Sequence, residues 1–407
     1  PVAGLNGGEV LTSVVASNGA GSCMVDGIDA GSACVNVDSG FSFDSNGNYY
    51  FTDGIQTNSP NGYRIRYVDS TNKVRTILGS LPFYGEGLDA GMIRGKIAGI
   101  YYKKSTESNL TAFPLGLYLI SPHMVFGHID SVTNKFQTLF GSQQSKSYWA
   151  PTGTTISSNV IMGLPYGGGN GYSLTFDSDG LPWMRTNYGL VSIDANRQVV
   201  NRTGVGLTTF WDQIADGASP LSGSLHVYGG INNLATKGNN GIFISNGYST
   251  IGLDPIPQIR FFDYSNLTSN KIIGGGYLKS LSTPMTVDVS TPGSVKNAPF
   301  AYNCTNGSAC MMQYVASQDR LYFSNSVDTK LRFITNPSDT AASTLTTMPT
   351  QFLFSPINFI FKEDMTQLFY ISNTGLYCMD ISSGKAWCNN STNLYPYSAT
   401  MGIFSYG

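Results

Sequence analysis

GFSFDSNGNYYFTD (residues 40–53) and RIRYVDSTNKVRTILG (residues 64–79) decide how the rest of the chain is read. Aromatic and β-branched residues run in short stretches, and each stretch is cut by a cluster of Asp, Asn and Gly at Asp44, Asn46 and Gly47 and again at Asp69 and Asn72. Asp and Asn side chains bond the backbone of a tight turn, and Gly and Asn accept positive φ, so such clusters punctuate strands. The pair of stretches therefore reads as strand, turn, strand, loop, strand, turn, strand, one four-stranded antiparallel sheet.

The same order returns along the chain. GLYLIS (116–121) is followed by MVFGHIDSVTNKFQTLFG (124–141), and GYSLTFDSDGLPWMRT (171–186) by YGLVSIDANRQVVNRTG (188–204). INNLATKGNNGIFISN (231–246) precedes IPQIRFFDYSNLTSNKIIGGG (256–276), MMQYVASQDRLYFSN (311–325) precedes KLRFITNPSDTAASTLT (330–346), and INFIFKEDMTQLFYISN (357–373) precedes GLYCMDISSGKAWCNN (375–390). Six copies predict an all-β, six-bladed β-propeller, one domain over residues 1–407 with blades near 40–79, 97–141, 172–204, 231–276, 311–346 and 357–390. A β-sandwich does not produce six four-strand copies in order, and solenoid repeats are shorter. An open ring would leave an unpaired edge. EVLTSVVASNG (9–19) resembles the last strand of a blade and is expected to close the ring against the final blade, with residues 385–389 as a competing outer strand.

Composition agrees with strands and limits the partners. Only 12% of residues are charged, whereas Gly (47), Tyr (24) and Phe (22) abound, which suits strands and turns and not helical surfaces. A net charge of -2 without a Lys/Arg cluster gives no grip on a phosphate backbone, so nucleic acid is not expected as a partner. No apolar run is long enough for a bilayer-spanning helix, so no membrane insertion is expected. The six cysteines fall as close pairs, Cys23 with Cys34, Cys304 with Cys310 and Cys378 with Cys388, without metal-ligand spacing. Disulfides are the simpler reading, and they place the protein outside the reducing cytosol, secreted or at a cell surface.

The pattern strand-D-x-x-G-N-x-Y-x-x-D, then R-I-R-x-V-D, then V-x-T-x-x-G resembles the NHL repeat. Residues 40–79 carry it almost throughout; elsewhere the third-strand ending persists at Asp130, Asp194, Asp263 and Asp380, with Asn336 in the fifth copy. The acid that ends the second strand is Asp53 alone, and Ser121, Thr186, Asn246, Asn325 and Asn373 stand at its equivalents. The resemblance implies a six-bladed propeller of cell-surface or fibre-tip type.

Antiparallel order sends the connections between second and third strands, and those between blades, to one face of the disc. Those connections are long at 80–96, 142–170, 205–230 and 277–310, and long loops in compact domains tend to carry function. Tyr84, Tyr148, Trp149, Tyr166, Trp211 and Asp212 fall within them and are the expected ligand-binding residues, since aromatic rings stack on sugars and anchor interfaces. Cys23–Cys34 and Cys304–Cys310 would brace loops on that face, and Cys378–Cys388 would staple a hairpin. Trp183 and Trp387, in strands, read as packing residues.

Catalytic readings rank lower. His123, His128 and His226 are the only histidines and do not converge as zinc ligands, no compact oxygen-ligand spacing for calcium stands out, and GxSxG is missing. The expectation is therefore a binding module without catalysis, metal or cofactor, the adhesive part of a larger bacterial surface protein that contacts a glycan or a protein, tethered to or oligomerised through a longer parent chain. An extracellular propeller hydrolase or lyase with a divalent ion in its channel is the alternative.

Overall fold

The computed structural model describes residues 13–17, 27–30, 37–44, 48–54, 63–78, 99–103, 108, 110–121, 125–130, 132–140, 152–156, 174–186, 189–203, 217–222, 231–248, 256–265, 269–274, 288–298, 311–324, 330–352, 358–362, 365–372 and 375–381. From the amino end, β1 (Ser13–Ser17) and β2 (Ile28–Asp29) precede the first blade, which is β3 (Val37–Phe43), β4 (Tyr49–Gly54), β5 (Tyr63–Val68) and β6 (Lys73–Leu78). Blade two is β7 (Gly99–Lys103), β8 (Gly116–Ser121), β9 (Val125–Ile129) and β10 (Phe136–Phe140). Blade three is β11 (Leu174–Phe176), β12 (Pro182–Thr186), β13 (Gly189–Ile193) and β14 (Val199–Asn201). Blade four is β15 (Ile231–Lys237), β16 (Gly241–Tyr248), β17 (Ile256–Asp263) and β18 (Ser269–Gly274). Blade five is β19 (Met311–Val315), β20 (Arg320–Ser324), β21 (Lys330–Thr335) and β22 (Thr344–Gln351), and blade six contributes β23 (Asn358–Phe361), β24 (Gln367–Ser372) and β25 (Gly375–Asp380). Only single 3-10 turns interrupt the strands, and no α-helix occurs among the described residues.

Every sheet is antiparallel, and within each blade the strands lie side by side in chain order, with β1 and β2 added at the outer ends of blades six and one. The first strands of the six blades each touch the next, and β23 returns to touch β3, so they form a closed inner circle. β1 lies on β25 with Ser13 opposite Cys378 and Ser17 opposite Gly375, and it takes the outer position of blade six. The ring is thus a six-bladed propeller closed by its N-terminal strand, as the repeat and its edge argument predict.

The apolar core is divided among the seams between blades. Alternate residues of a strand point to opposite faces of its sheet, so each blade packs on both neighbours. On β5, Ile65 joins Tyr50, Leu119 and Phe136 in the seam with blade two, while Val68 joins Phe41, Phe51 and Phe369 in the seam with blade six. Six clusters of this kind fill the six seams. This is why the strands read as nearly unbroken apolar runs such as LYLI, IFI and LFYI: both faces are covered. Trp183, wholly buried, sits in the seam of blades three and four beside Ile242 and Phe262.

One feature is absent from the repeat reading. Blade one carries β2 as a fifth, outermost strand, with Ile28 opposite Val74 and Asp29 opposite Lys73. Blades three and five carry single rungs in the same place, Thr155 opposite Gln198 and Val289 opposite Leu345. These are the chain segments that lead into blades one, three and five. They reach the outermost strand at its beginning, close to the turn that follows the third strand, and so approach the face opposite the long connections. No such rung occurs on blades two, four or six among the described residues.

Candidate recognition face

The strand order fixes two faces. On the upper face lie the connections between second and third strands and those between blades; on the lower face lie the turns after first and third strands. The upper face is entered and left through the strand ends at Leu78 and Gly99, Phe140 and Leu174, Asn201 and Ile231, and Gly274 and Met311. Tyr84 belongs to the first of these connections, Tyr148, Trp149 and Tyr166 to the second, and Trp211 and Asp212 to the third. All six lie outside the described residues, as do Cys23, Cys34, Cys304, Cys310 and Cys388. Cys378 is buried on β25 and is not a free thiol; its expected partner Cys388 lies outside the described residues.

Where the long connections are described, they correct the expectation that they gather wholly on the upper face. Residues 27–30, between Cys23 and Cys34, follow blade one's outer edge: the Gly27 and Ala30 amides donate to the carbonyls of Val74 and Asn72, and Lys73 pairs with Asp29 at 2.7 Å. Ala30 is fully buried there. Residues 152–156, from the connection that also holds Trp149 and Tyr166, bond Val199 and Arg197 on blade three. Residues 288–298 cover the outside of blades four and five, with Val295 and Ala298 buried in that seam. These pieces carry small or apolar residues that fit a sheet edge, and edge pairing satisfies backbone groups which a loop would leave to water.

The lower face spends its polar groups on itself. Asp44 accepts the Asn48 amide at 2.9 Å and the Tyr50 hydroxyl at 2.9 Å, and Asp177 accepts the amides of Asp179 and Leu181 and the Trp183 indole N–H at 2.8 Å. Burial raises the Asp177 carboxyl above its ordinary pKa, opposed by the Trp183 hydrogen bond. The third-strand acids that carry the NHL resemblance are turn caps: Asp69 holds Thr71 and Lys73, Asp130 holds Val132 and Thr133, Asp194 holds Asn196 and Gln198, and Asp263 holds Ser265. Lysines then tie blade to blade, Lys103 to the Gly180 carbonyl at 2.9 Å and Lys237 to Asp319 at 2.7 Å.

The described groups nearest the upper face are different in kind. Asp53, next to last in β4, meets the guanidinium of Arg66 at 3.1 Å; the Arg66 side chain is wholly buried and that of Asp53 is 13% exposed. Arg260 and Arg332 occupy the same register on blades four and five, opposite Ile244 and Phe323, and both are buried. Thr52, Ser245 and Ser324, fully buried on the second strands, stand opposite Ile259 or its equivalents Ile65 and Leu331. Reading residue types in isolation missed these arginines. Their signal is an Arg between apolar neighbours in a third strand, in RIR, QIRF and KLRF, where a solvent-facing residue would not repeat. Among the described residues no three His, Cys, Asp or Glu side chains gather as a metal site. His128 is buried in blade two; His123 and His226 lie outside the described residues.

No protein family and no curated protein matches the sequence. Membership of the NHL family is therefore not established, and the six-bladed propeller is the class that stands. Among solved structures the chain is similar to an α-L-arabinofuranosidase of Fusarium graminearum, with 10% identity, TM-score 0.48 and coverage of 92% of this chain and 98% of that one. It is also similar to a gluconolactonase of Xanthomonas campestris, with 9% identity, TM-score 0.46 and coverage of 85% and 86%. A third is an auxiliary nutrient binding protein of Bacteroides thetaiotaomicron, with 11% identity, TM-score 0.47 and coverage of 91% and 76%. Likenesses this remote transfer no activity. They do correct the expectation that the chain is not an enzyme: propellers of similar course include two named for catalysis beside one named for binding, so the architecture gives no ground for excluding it.

Proposed function

We propose that this propeller is an extracellular recognition module, part of a larger surface protein, which binds a glycan or a protein through its upper face. The observation that carries the reading is the inequality of the two faces. Below, the carboxylates cap their own turns and the lysines bind neighbouring blades. Above, the chain leaves and re-enters the blades at Leu78 and Gly99, Phe140 and Leu174, Asn201 and Ile231, and Gly274 and Met311, and the long sequences between these ends contain Tyr84, Tyr148, Trp149, Tyr166, Trp211 and Asp212. Aromatic rings beside Asn and Asp suit the apolar faces and hydroxyls of sugars, and equally the anchors of a protein interface. The close cysteine pairs support an oxidising compartment, and the low charge argues against nucleic acid as a partner.

Glycan and protein arrays test the proposal, with Trp149→Ala and Trp211→Ala as controls. Binding by the wild type that falls at least tenfold in these variants is the expected result, and no binding to either array would end the reading. Any captured glycan is then assayed for released reducing ends, which separates recognition alone from recognition followed by cleavage.

A further inference from the structure

On the lower face one connection stands apart. Residues 104–115 join β7 to β8 where the other blades use brief turns, and from residue 110 onward they lie across the seam of blades two and three, with Phe113 wholly buried in it. Four successive carbonyls of this strap are each met by a side chain from a different element. Arg197 of blade three donates to Ala112 at 3.3 Å, Lys103 to Phe113 at 2.7 Å and the Tyr118 hydroxyl to Pro114 at 2.6 Å, and His128 Nε2 lies 3.3 Å from the Leu115 carbonyl. Ser108 and Lys103 extend the clamp to the carbonyls of Ser178 and Gly180 in blade three.

Of these holders only His128 changes charge near neutral pH. It is 1% exposed, and its contact with a carbonyl requires a proton on Nε2, which leaves the neutral ring with Nδ1 bare. The charged and titratable groups around it come from every packed element. β7 brings the fully buried ammonium of Lys103, and β8 brings Tyr118, whose ring centroid is 4.7 Å away. β10 places the neutral Gln137 opposite in register, blade three holds Arg197 on the far side of the strap, and Asp130 follows on its own strand, already bound to Val132 and Thr133. A second proton on the ring would add a cation, away from water, to a strap whose carbonyls already serve Lys103 and Arg197.

We propose that His128 is an acid-operated release for this strap: the neutral ring holds residues 110–115 across blades two and three, and its protonation lets them leave the seam. The direction follows from linkage. Burial holds the imidazole below its ordinary pKa of 6.5, so the released state takes up the proton more readily. Strap stability is complete above pH 6.5 and declines as pH falls from there toward the lower value of the closed state.

Hydrogen exchange on the intact protein, corrected for the intrinsic pH dependence of exchange, tests this. Peptides covering residues 104–118 should open several-fold more at pH 5 than at pH 7.5, while peptides covering blades five and six stay unchanged. His128→Gln, which retains a donor but cannot titrate, should abolish the difference. Equal opening at the two pH values, or a difference that survives in the variant, overturns the proposal. If the variant does not fold, the wild-type imidazole resonances decide: a buried histidine titrating at or above 6.5 overturns it as well.

Discussion

At the scale of single residues, the acids that first suggested the repeat act on their own backbone. Asp177 gathers two turn amides and the Trp183 indole, all within one buried corner of blade three. Asp177→Ala leaves those donors without an acceptor and should cost about 2–4 kcal/mol, since an unsatisfied buried group costs more than the bond it made. Urea unfolding of the variant measures it, and an effect below the size expected for a surface change would contradict the assignment. Asp69 makes a prediction in pH. Burial raises its carboxyl, but hydrogen bonds from Thr71, Lys73 and Arg75 outweigh that and bring it to about 2. The folded state therefore holds this proton less tightly than the unfolded chain. Its contribution is complete above pH 4 and fades as pH falls through 2, and Asp69→Asn should flatten that part of the acid-unfolding profile. Gly127 shows the packing limit: a Cβ there would stand 2.1 Å from the Phe136 ring, so Gly127→Ala should destabilise by about 1–3 kcal/mol, read from the same unfolding curves.

Elements show what a sequence can and cannot display. The turns were legible because their chemistry is local: Asp69 and Asn72 lie three residues apart, and Asn72 takes positive φ as expected. β1 was legible because EVLTSVVASNG resembles the last strand of a blade, although residues 385–389 competed for the same place. β2 was not, because two residues of strand inside a cysteine-bracketed loop have no periodicity to detect; their pairing with Val74 is set by a sheet edge elsewhere in the chain. The pinned strap escaped for the same reason, since Lys103, Tyr118, His128 and Arg197 meet only after folding. Proline tests β1 directly. Val14→Pro removes a donor from the strand that pairs with β25 and should lower the melting temperature by several degrees, as a loss of about 3 kcal/mol would. An unchanged melting temperature would mean that β1 does not close the blade.

For the whole molecule, six seams replace one core, and their stability depends on closure of the circle. The connections that enter blades one, three and five add outer rungs to those blades. Lys103 and Lys237 each close the end of a first strand onto the next blade, Lys103 onto blade three and Lys237 onto blade five. The candidate binding residues were legible only as residue types in long connections; their arrangement depends on distant segments that no local pattern encodes. The most direct test of the central claim is a crystal structure of the chain. It should show β23 beside β3 and residues 13–17 paired with residues 375–378 in a closed six-bladed ring; two stacked sheets, or residues 13–17 paired elsewhere, would contradict the account.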